Sequence, residues 1–383
     1  MSNAADLTPD VASPSSETEM AEYIADRHEA STPLQVIGGG TRLMTSYSGS
    51  GAQRLSTRGL NGVVTYEPGA LTLVVRTGTA IEEIEKLLAT EGQALAFEPM
   101  DHRTLMGTSG SPTIGGVVAC NISGPRRTLV GACRDHLLGV RFVDGRGRIV
   151  KNGGRVMKNV TGLDVSKLLC GSYGTLGVLT EVALKTLPVA ETEETLAFKN
   201  VSLDEASRIF ATALSTPFEV SGAAFVSGTA WLRIEGFSRQ VAYRRERLLS
   251  VFRQSEIDVE DVTASRRLWR DLRDLRHFAH SDLPVWRILV KPTDAPTVAS
   301  ALEALGGSAS LDWGGGLIWY AGEASSEDIR RVSHPGQAWL VRKGAASGIK
   351  VFPRESESVS RLSCALRKTF DPAGILNPGL MDS

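Results

Sequence analysis

The sequence predicts an α+β protein of two domains, and three observations predict it. Its 383 residues exceed the ~100–200 of one ordinary domain. Short apolar runs rich in Val, Ile and Leu are interleaved with amphipathic stretches, so strands and helices share the chain. Its 39 glycines exceed the ordinary ~7% of a chain and cluster at 38–51, 107–124, 145–177 and 314–316. Clustered glycine marks backbone held at unusual dihedrals or brought close to a ligand. After residue 195 glycine thins and arginine rises. Pro188 and the acidic stretch 191–194 mark the boundary.

Residues 33–37 form a strand that runs into Gly38-Gly39-Gly40-Thr41, and 71–77 form another. Ile81, Ile84 and Leu88 give one apolar face to a helix over 80–91, with Thr79 and Glu82 as its capping box and Gly92 closing it. Residues 138–150 hold two strands around an Asp-Gly turn, and 176–187 are strand-like. In the second domain, 221–235 and 285–292 read as strands, and 241–255 and 264–279 as helices. The second of these helices places Leu268, Leu272, Leu275 and Phe278 on one face. Arg266, Arg267, Arg270, Arg273 and Arg276 form a solvated, salt-bridged or partner-docking face. Residues 311–320 set a triple glycine between two strand-like pieces, and 358–376 form a final helix ending in Asn377-Pro378-Gly379.

Composition excludes several functions. The 42 Lys+Arg balance 43 Asp+Glu, so no global basic field exists to hold a nucleic acid. No apolar run reaches the ~18 residues of a membrane span. Residues 1–17 lack the basic and apolar regions of a secretory signal and read as a disordered leader, which favours the cytoplasm. The four cysteines, Cys120, Cys133, Cys170 and Cys364, include no CxxC, which disfavours a self-contained iron–sulfur or zinc site; they read as reduced, buried small hydrophobes. His277 and His280 stand three apart without a third ligand in recognisable spacing, so no metal site is assigned and a surface or partner-facing pair is expected.

Consecutive glycines after a strand aim several backbone N–H groups at one spot, a nest for anions and phosphates above all. Gly38-Gly39-Gly40-Thr41 has this form, and Arg42 adds charge, although the loop alone fits a tight turn equally well. No Gly-Lys-Ser/Thr follows and no G-x-G-x-x-G stands at a strand–helix junction, so Walker and dinucleotide-binding Rossmann sites are disfavoured. A second region, 99–124, is small, glycine-rich and hydroxylated. A third, Gly171 to Gly177, carries glycine every third residue, with Lys158, Thr161, Gly162 and Asp164 before it. Together they suit a long ligand with flat ends and an anionic middle, the shape of FAD.

The order VIGGGTR (36–42), PTIGG (112–116), NISGP (121–125) and GLDVSKLLCGSYGTLGVLTEV (162–182) resembles the PCMH-type FAD-binding domain of the vanillyl-alcohol oxidase/p-cresol methylhydroxylase family. The closing FDPAGILNPG (370–379) resembles the branch that oxidises α-hydroxy acids. LPVWRILVKP (283–292) and LDWGGGLIWYAG (311–322) are similar to FAD-binding subunits of glycolate oxidases. The resemblance runs from about residue 18 to the C-terminus. It implies a two-subdomain FAD-binding domain over 18–190, a smaller α+β cap over 191–350, and a segment 351–383 returning to the first domain.

It further implies that Gly38, Gly39, Gly40 and Thr41 hold the FAD pyrophosphate through backbone amides. Pro99, Thr113, Ile114, Gly115 and Gly116 would line the isoalloxazine and ribityl side, and Asn121 and Gly124 would continue that wall. Ser172, Gly174, Gly177 and Val178 would complete the nucleotide end, and Asn377 would lie near the flavin ring. Covalent relatives use a histidine beside the first loop; here the run is Gly-Gly-Gly-Thr-Arg, which implies non-covalent FAD. Relatives that oxidise D-2-hydroxy acids carry a histidine-rich motif in the cap, and this sequence has no such run. A hydride acceptor for a 2-hydroxy acid also needs a carboxylate grip, for which Arg287 is the candidate, and a base, for which the sequence offers no motif and His334 is the residue considered.

The resemblance thus implies the FAD-binding subunit of a multi-subunit glycolate oxidase. It would act with a sister flavoprotein subunit and an iron–sulfur subunit, and touch the inner membrane only through them. A stand-alone FAD oxidoreductase of another substrate and a non-catalytic assembly subunit are the alternatives.

Overall fold

The computed structural model describes residues 11–42, 51–154, 164–344 and 349–381. The chain divides into two compact units. One comprises Met1–Ile122, Ala132–Pro188 and Arg354–Ser383; the other comprises Ser123–Gly131 and Val189–Pro353.

The first unit holds a parallel three-stranded sheet in the order Val11–Ala12, Gln53–Ser56, Leu34–Ile37. Val11 and Ala12 pair with Arg54 and Leu55, so the later part of the expected disordered leader is instead an edge strand; residues 1–10 lie outside the described residues. The helix Glu17–Glu29 follows, with the Ser16 hydroxyl accepting from the Glu19 amide. Its buried Met20 and Ile24 meet Leu34, Leu55 and Val178 in one apolar cluster.

A five-stranded antiparallel sheet runs Val63–Glu67, Thr72–Arg76, Val178–Lys185, Leu137–Val143, Ile149–Gly153. Leu73, Val75, Val140, Phe142, Val182 and Leu184 alternate onto one face and bury against Ile84 and Leu88 of the helix Ile81–Ala89. That helix starts at Ala80 with no side-chain cap. The Thr79 hydroxyl, expected in a capping box, instead bonds the backbone of Gly62 and Arg76. Between Leu137–Val143 and Ile149–Gly153 the connection is longer than a two-residue turn. The buried Asp144 carboxylate organises it, accepting from the amides of Arg146 and Arg148 and from the Arg148 guanidinium.

The final helix is Glu357–Phe370, shorter than expected, because Asp371 stops it: its carboxylate accepts from the Leu376 amide at 2.7 Å and closes a turn. Cys133 and Cys170 are buried as expected, but Cys364 is exposed on this helix.

The second unit is an eight-stranded antiparallel sheet in the order Ile257–Glu260, Thr192–Phe198, Thr229–Gly236, Gly222–Val226, Ser308–Asp312, Leu317–Ala321, Val285–Leu289, Gln337–Arg342. The run expected as one strand at 221–235 is therefore a hairpin. Helices Leu203–Leu214, Ser238–Val251, Ala295–Ala304 and Ser326–Ser333 cover one face through Phe198, Phe210, Leu232, Trp286, Leu302 and Ile329.

The opposite face carries Glu193, Thr195 and Arg233, met by Ser265 and Trp269 of the helix Val262–Arg273. That helix ends four residues past Trp269; Leu275 then takes a left-handed backbone. Its buried anchor is Trp269 rather than Leu268 or Leu272, since only the indole reaches both the Thr195 hydroxyl and the space over Gly222. Arg266, Arg267, Arg273 and Arg276 form ion pairs along it.

Glu17 ties its helix to the sheet beneath, through Arg141 and the Thr180 hydroxyl. Burial works against its ionisation, but the hydrogen bonds from Arg141 and Thr180 and the guanidinium charge outweigh it and hold the carboxyl below the usual range. A depressed carboxylate stabilises the fold above its unfolded value of ~4.3, and the gain is lost as pH falls through the lower folded value. Glu17→Gln should therefore cost about 1 kcal/mol at neutral pH, discounted for partial exposure. Thermal unfolding at neutral pH and well below the carboxylate range should show that gap closing on the acid side. A gap unchanged in acid would mean that packing, not charge, carries the contact.

Candidate functional site

The strand Leu34–Ile37 is fixed on both sides before it turns. The Leu34 amide donates to the Ile375 carbonyl, and the Asn377 amide donates to the Leu34 carbonyl. Pairing stops at Ile37, and Gly38 to Arg42 follow. The Gly39 backbone then presses on the second loop. A Cβ there would stand 1.6 Å from the Ser111 carbonyl oxygen, and one on Gly110 would stand 1.9 Å from the Gly39 oxygen. Only glycine permits that approach. The Thr108 hydroxyl adds a bond to the Thr41 carbonyl at 3.2 Å.

Among the described residues, none of the backbone N–H groups of Gly38 to Arg42 donates to another protein group. The Arg42 Nη1 is buried and has no hydrogen-bond partner. A row of donors and a partly buried cation, with no acceptor supplied among the described residues, fits the pyrophosphate of FAD.

The second region behaves differently. Ile114 and Gly115 donate to the carbonyls of Thr79 and Thr77, and Pro112 accepts from Ile81. Thr113 caps the short helix Ile114–Ala119 through the Gly116 amide. Pro99, Thr113, Ile114 and Gly115 are buried. This wall therefore offers shape, with its donors already engaged. Asn121, at a positive φ of 49°, turns its amide oxygen to the Arg134 amide at 3.2 Å and the Cys170 thiol at 3.6 Å.

The third region is stitched to the second: the amides of Gly171 and Tyr173 donate to the carbonyls of Val118 and Ala119. Ser172 is buried and donates to the Leu169 carbonyl. Gly174 faces the Asn377 amide nitrogen, Gly177 lies against the Phe142 ring, and Val178 is buried in the core as its strand begins. Asn377 spans both ends: its side chain accepts from the Val36 amide and donates to the Tyr173 carbonyl, each at 2.8 Å. Asp164 caps the helix Val165–Leu169, while Lys158, Thr161 and Gly162 lie outside the described residues.

Three thiols lie near this floor. Burial pushes Cys133 well above the usual thiol range, helped by a hydrogen bond with Cys170 and opposed by the Arg42 charge. Cys120 is likewise pushed up by burial against the same guanidinium. Both stay protonated and are poor nucleophiles at neutral pH.

Two predicted residues belong to the second unit. The Gly124 carbonyl accepts from the Trp313 indole at 2.9 Å. Arg127 and Arg287 lie over that ring, at 4.3 and 5.2 Å from its centroid, and Arg287 is 5.4 Å from the Trp339 ring. Arg126 pairs with Glu235 at 2.7 Å. Sequence reasoning missed Arg126, Arg127 and Trp313 as a group. The available signal was Trp313 before the triple glycine, where it takes a positive φ of 54°. His334 lines a cleft of about 560 Å³ with Lys291, Asp294 and Ser333, on the same unit. His277 bonds Ser310 through Nε2 at 3.0 Å. Among the described residues no group of three His, Cys, Asp or Glu side chains is placed to hold a metal ion.

Two substitutions test the loop architecture. Gly39→Ala should force the loops apart and lower stability by at least about 2 kcal/mol. Asn377→Ala leaves the Val36 amide and the Tyr173 carbonyl unmet, at about 1–3 kcal/mol. Chemical denaturation of both variants should show these losses. A neutral Gly39→Ala would mean that the two loops are not in contact in solution.

Residues 9–153 match the family model described as an FAD binding domain. The glycolate oxidase subunit GlcE of Escherichia coli (strain K12) is 35% identical over 352 residues, 91% of this chain and 93% of that protein. GlcD of Bacillus subtilis (strain 168) is 28% identical over 230 residues, 60% of this chain but 47% of that protein. A D-lactate dehydrogenase of Archaeoglobus fulgidus is 29% identical over 205 residues, 51% of this chain and 42% of that protein. A solved alkyldihydroxyacetonephosphate synthase shares the fold, with a TM-score of 0.68 at 14% identity, covering 96% of this chain and 75% of that one. The loop that leaves a row of amides unanswered thus lies in the matched domain, and the chain belongs to the family of FAD-linked oxidoreductases that includes the glycolate oxidase subunit GlcE.

Proposed function

We propose that this chain is the FAD-binding subunit of a multi-subunit glycolate oxidase. The observation that carries this reading is the end-to-end likeness to GlcE, 93% of that subunit, against less than half of GlcD. Residues 18–190 with 351–383 form the FAD domain, and 191–350 the cap. A sister flavoprotein subunit and an iron–sulfur subunit complete the assembly and carry electrons onward. No helix among the described residues is long and apolar enough to cross a membrane; the reading places the chain in the cytoplasm, with membrane contact only through partners.

FAD, when bound, supplies a hydride acceptor for the α-carbon of a 2-hydroxy acid. The amides of Gly38, Gly39, Gly40 and Thr41 hold its pyrophosphate. Pro99, Thr113, Ile114, Gly115, Gly116 and Asn121 give the flat wall its shape, and Asn377 fixes the first loop relative to the third. The cofactor is held without a covalent bond: no histidine stands beside the first loop, and the nearby thiols of Cys120 and Cys133 are kept protonated. Arg287 is the candidate grip for the substrate carboxylate. Its stacking between Trp313 and Trp339 fixes the plane of a fork that binds carboxylates bidentately.

The test is the visible absorbance of the chain purified alone, before and after anaerobic glycolate, and again with its partner subunits. A flavin spectrum that persists with glycolate alone and bleaches once partners are added is the expected result. Bleaching of the chain alone would favour a free-standing oxidoreductase. A colourless protein that takes up no added FAD would overturn the cofactor reading.

A further inference from the structure

We infer that Arg42 is the counter-cation of the bound diphosphate, and that the first loop selects a diphosphate ester through this one side chain. The inference rests on the FAD reading and adds a residue and a charge to it. Three observations carry it. Arg42 directly follows the loop whose amides from Gly38 to Arg42 have no protein acceptor among the described residues. Its Nη1 is buried without a hydrogen-bond partner. Its Nη2 reaches over the second loop, where a Cβ on residue 116 would stand 3.3 Å away, so Gly116 leaves it room.

A guanidinium has donors only, and a buried one without an acceptor is costly. No carboxylate among the described residues stands within ion-pair distance of Arg42. Its titratable neighbours among the described residues include the Cys120 and Cys133 thiols, which burial keeps protonated and neutral. The cradle therefore carries a positive charge that no carboxylate among the described residues answers, beside the amide donors of the first loop. An anion with several oxygens on linked phosphorus centres answers both at once, and the guanidinium fork matches two phosphate oxygens. The riboflavin portion offers no such group.

This assignment separates from a structural role by the sign of its effect on the empty protein. Arg42→Met removes a partly buried charge whose Nη1 is unanswered, so the apo-protein should unfold at the same temperature or higher, while FAD should bind roughly 10–100-fold more weakly. Arg42→Lys, which keeps the charge and loses the fork, should fall between. Riboflavin should bind wild type and Arg42→Met alike. Inorganic pyrophosphate should compete with FAD in wild type and lose that competition in Arg42→Met.

Fluorescence titration of the FAD-stripped full chain reads each of these without turnover. An apo-protein destabilised by Arg42→Met, or FAD and riboflavin weakened by the same factor, would overturn the assignment. A wild type that takes pyrophosphate in an Arg42-dependent way but ignores FAD would instead keep the anion site and remove the cofactor reading. Binding of neither would remove both.

Discussion

The first unit depends on one close approach, the backbone of Gly39 against that of Ser111 and Gly110. Two loops touching through carbonyl oxygens leave no room for side chains, so the contact rules out every other residue at 39. It also orients what remains. With the Gly39 carbonyl turned into the second loop, the amides from Gly38 to Arg42 have no protein acceptor among the described residues. A site for a multi-oxygen anion follows from packing, because the arrangement that seats the loops also withholds acceptors from the donors.

The contact survives only if both loops are held from behind, and the chain braces them at long range. Asn377 joins Val36 to Tyr173 across separations of 341 and 204 residues. The third loop is in turn bound through Gly171 and Tyr173 to the helix that opens at Thr113. The glycine-rich regions therefore form one closed circuit of hydrogen bonds: first loop, Asn377, third loop, second loop. Such circuits couple their members, so loss of one brace is felt at the others. This gives a physical reason for the C-terminal residues to sit with the N-terminal ones in a single unit.

What was legible in the sequence was whatever local pattern decides. The strand before Gly38, the apolar face of Ile81–Ala89 and the buried strand Val178–Lys185 follow from periodicity alone. The failures share another cause, a distant group that outbids a local one. Thr79 had the spacing of a capping residue, yet its hydroxyl is taken by Gly62, seventeen positions away. The final helix kept apolar residues up to Leu376, yet Asp371 closes a turn that ends it. Val11 and Ala12 looked like leader until a strand from residues 53–56 offered them a partner. At the site, glycine placement was readable because glycine has no substitute there. The orphaned Arg42 was readable only as a charge, since burial is not a property of sequence.

The second unit handles its arginines in the opposite way. Arg126 meets Glu235, Arg233 lies over Trp269, and Arg287 sits beside two indoles, so the partly and fully buried cations named here each have an anion or a π-face close by. Stacking leaves the edges of a guanidinium, where its N–H groups point, as the direction for polar contacts. A cation held this way is preorganised for a planar acceptor and costs little to reorient. Among the described residues Arg42 has no such neighbour: beside it stand thiols that burial keeps neutral. Of these two partly buried arginines, Arg287 already lies against π-faces, whereas the buried Nη1 of Arg42 has no hydrogen-bond partner. That difference in compensation, more than the glycine pattern around it, is why the first loop reads as a place where charge must arrive from outside.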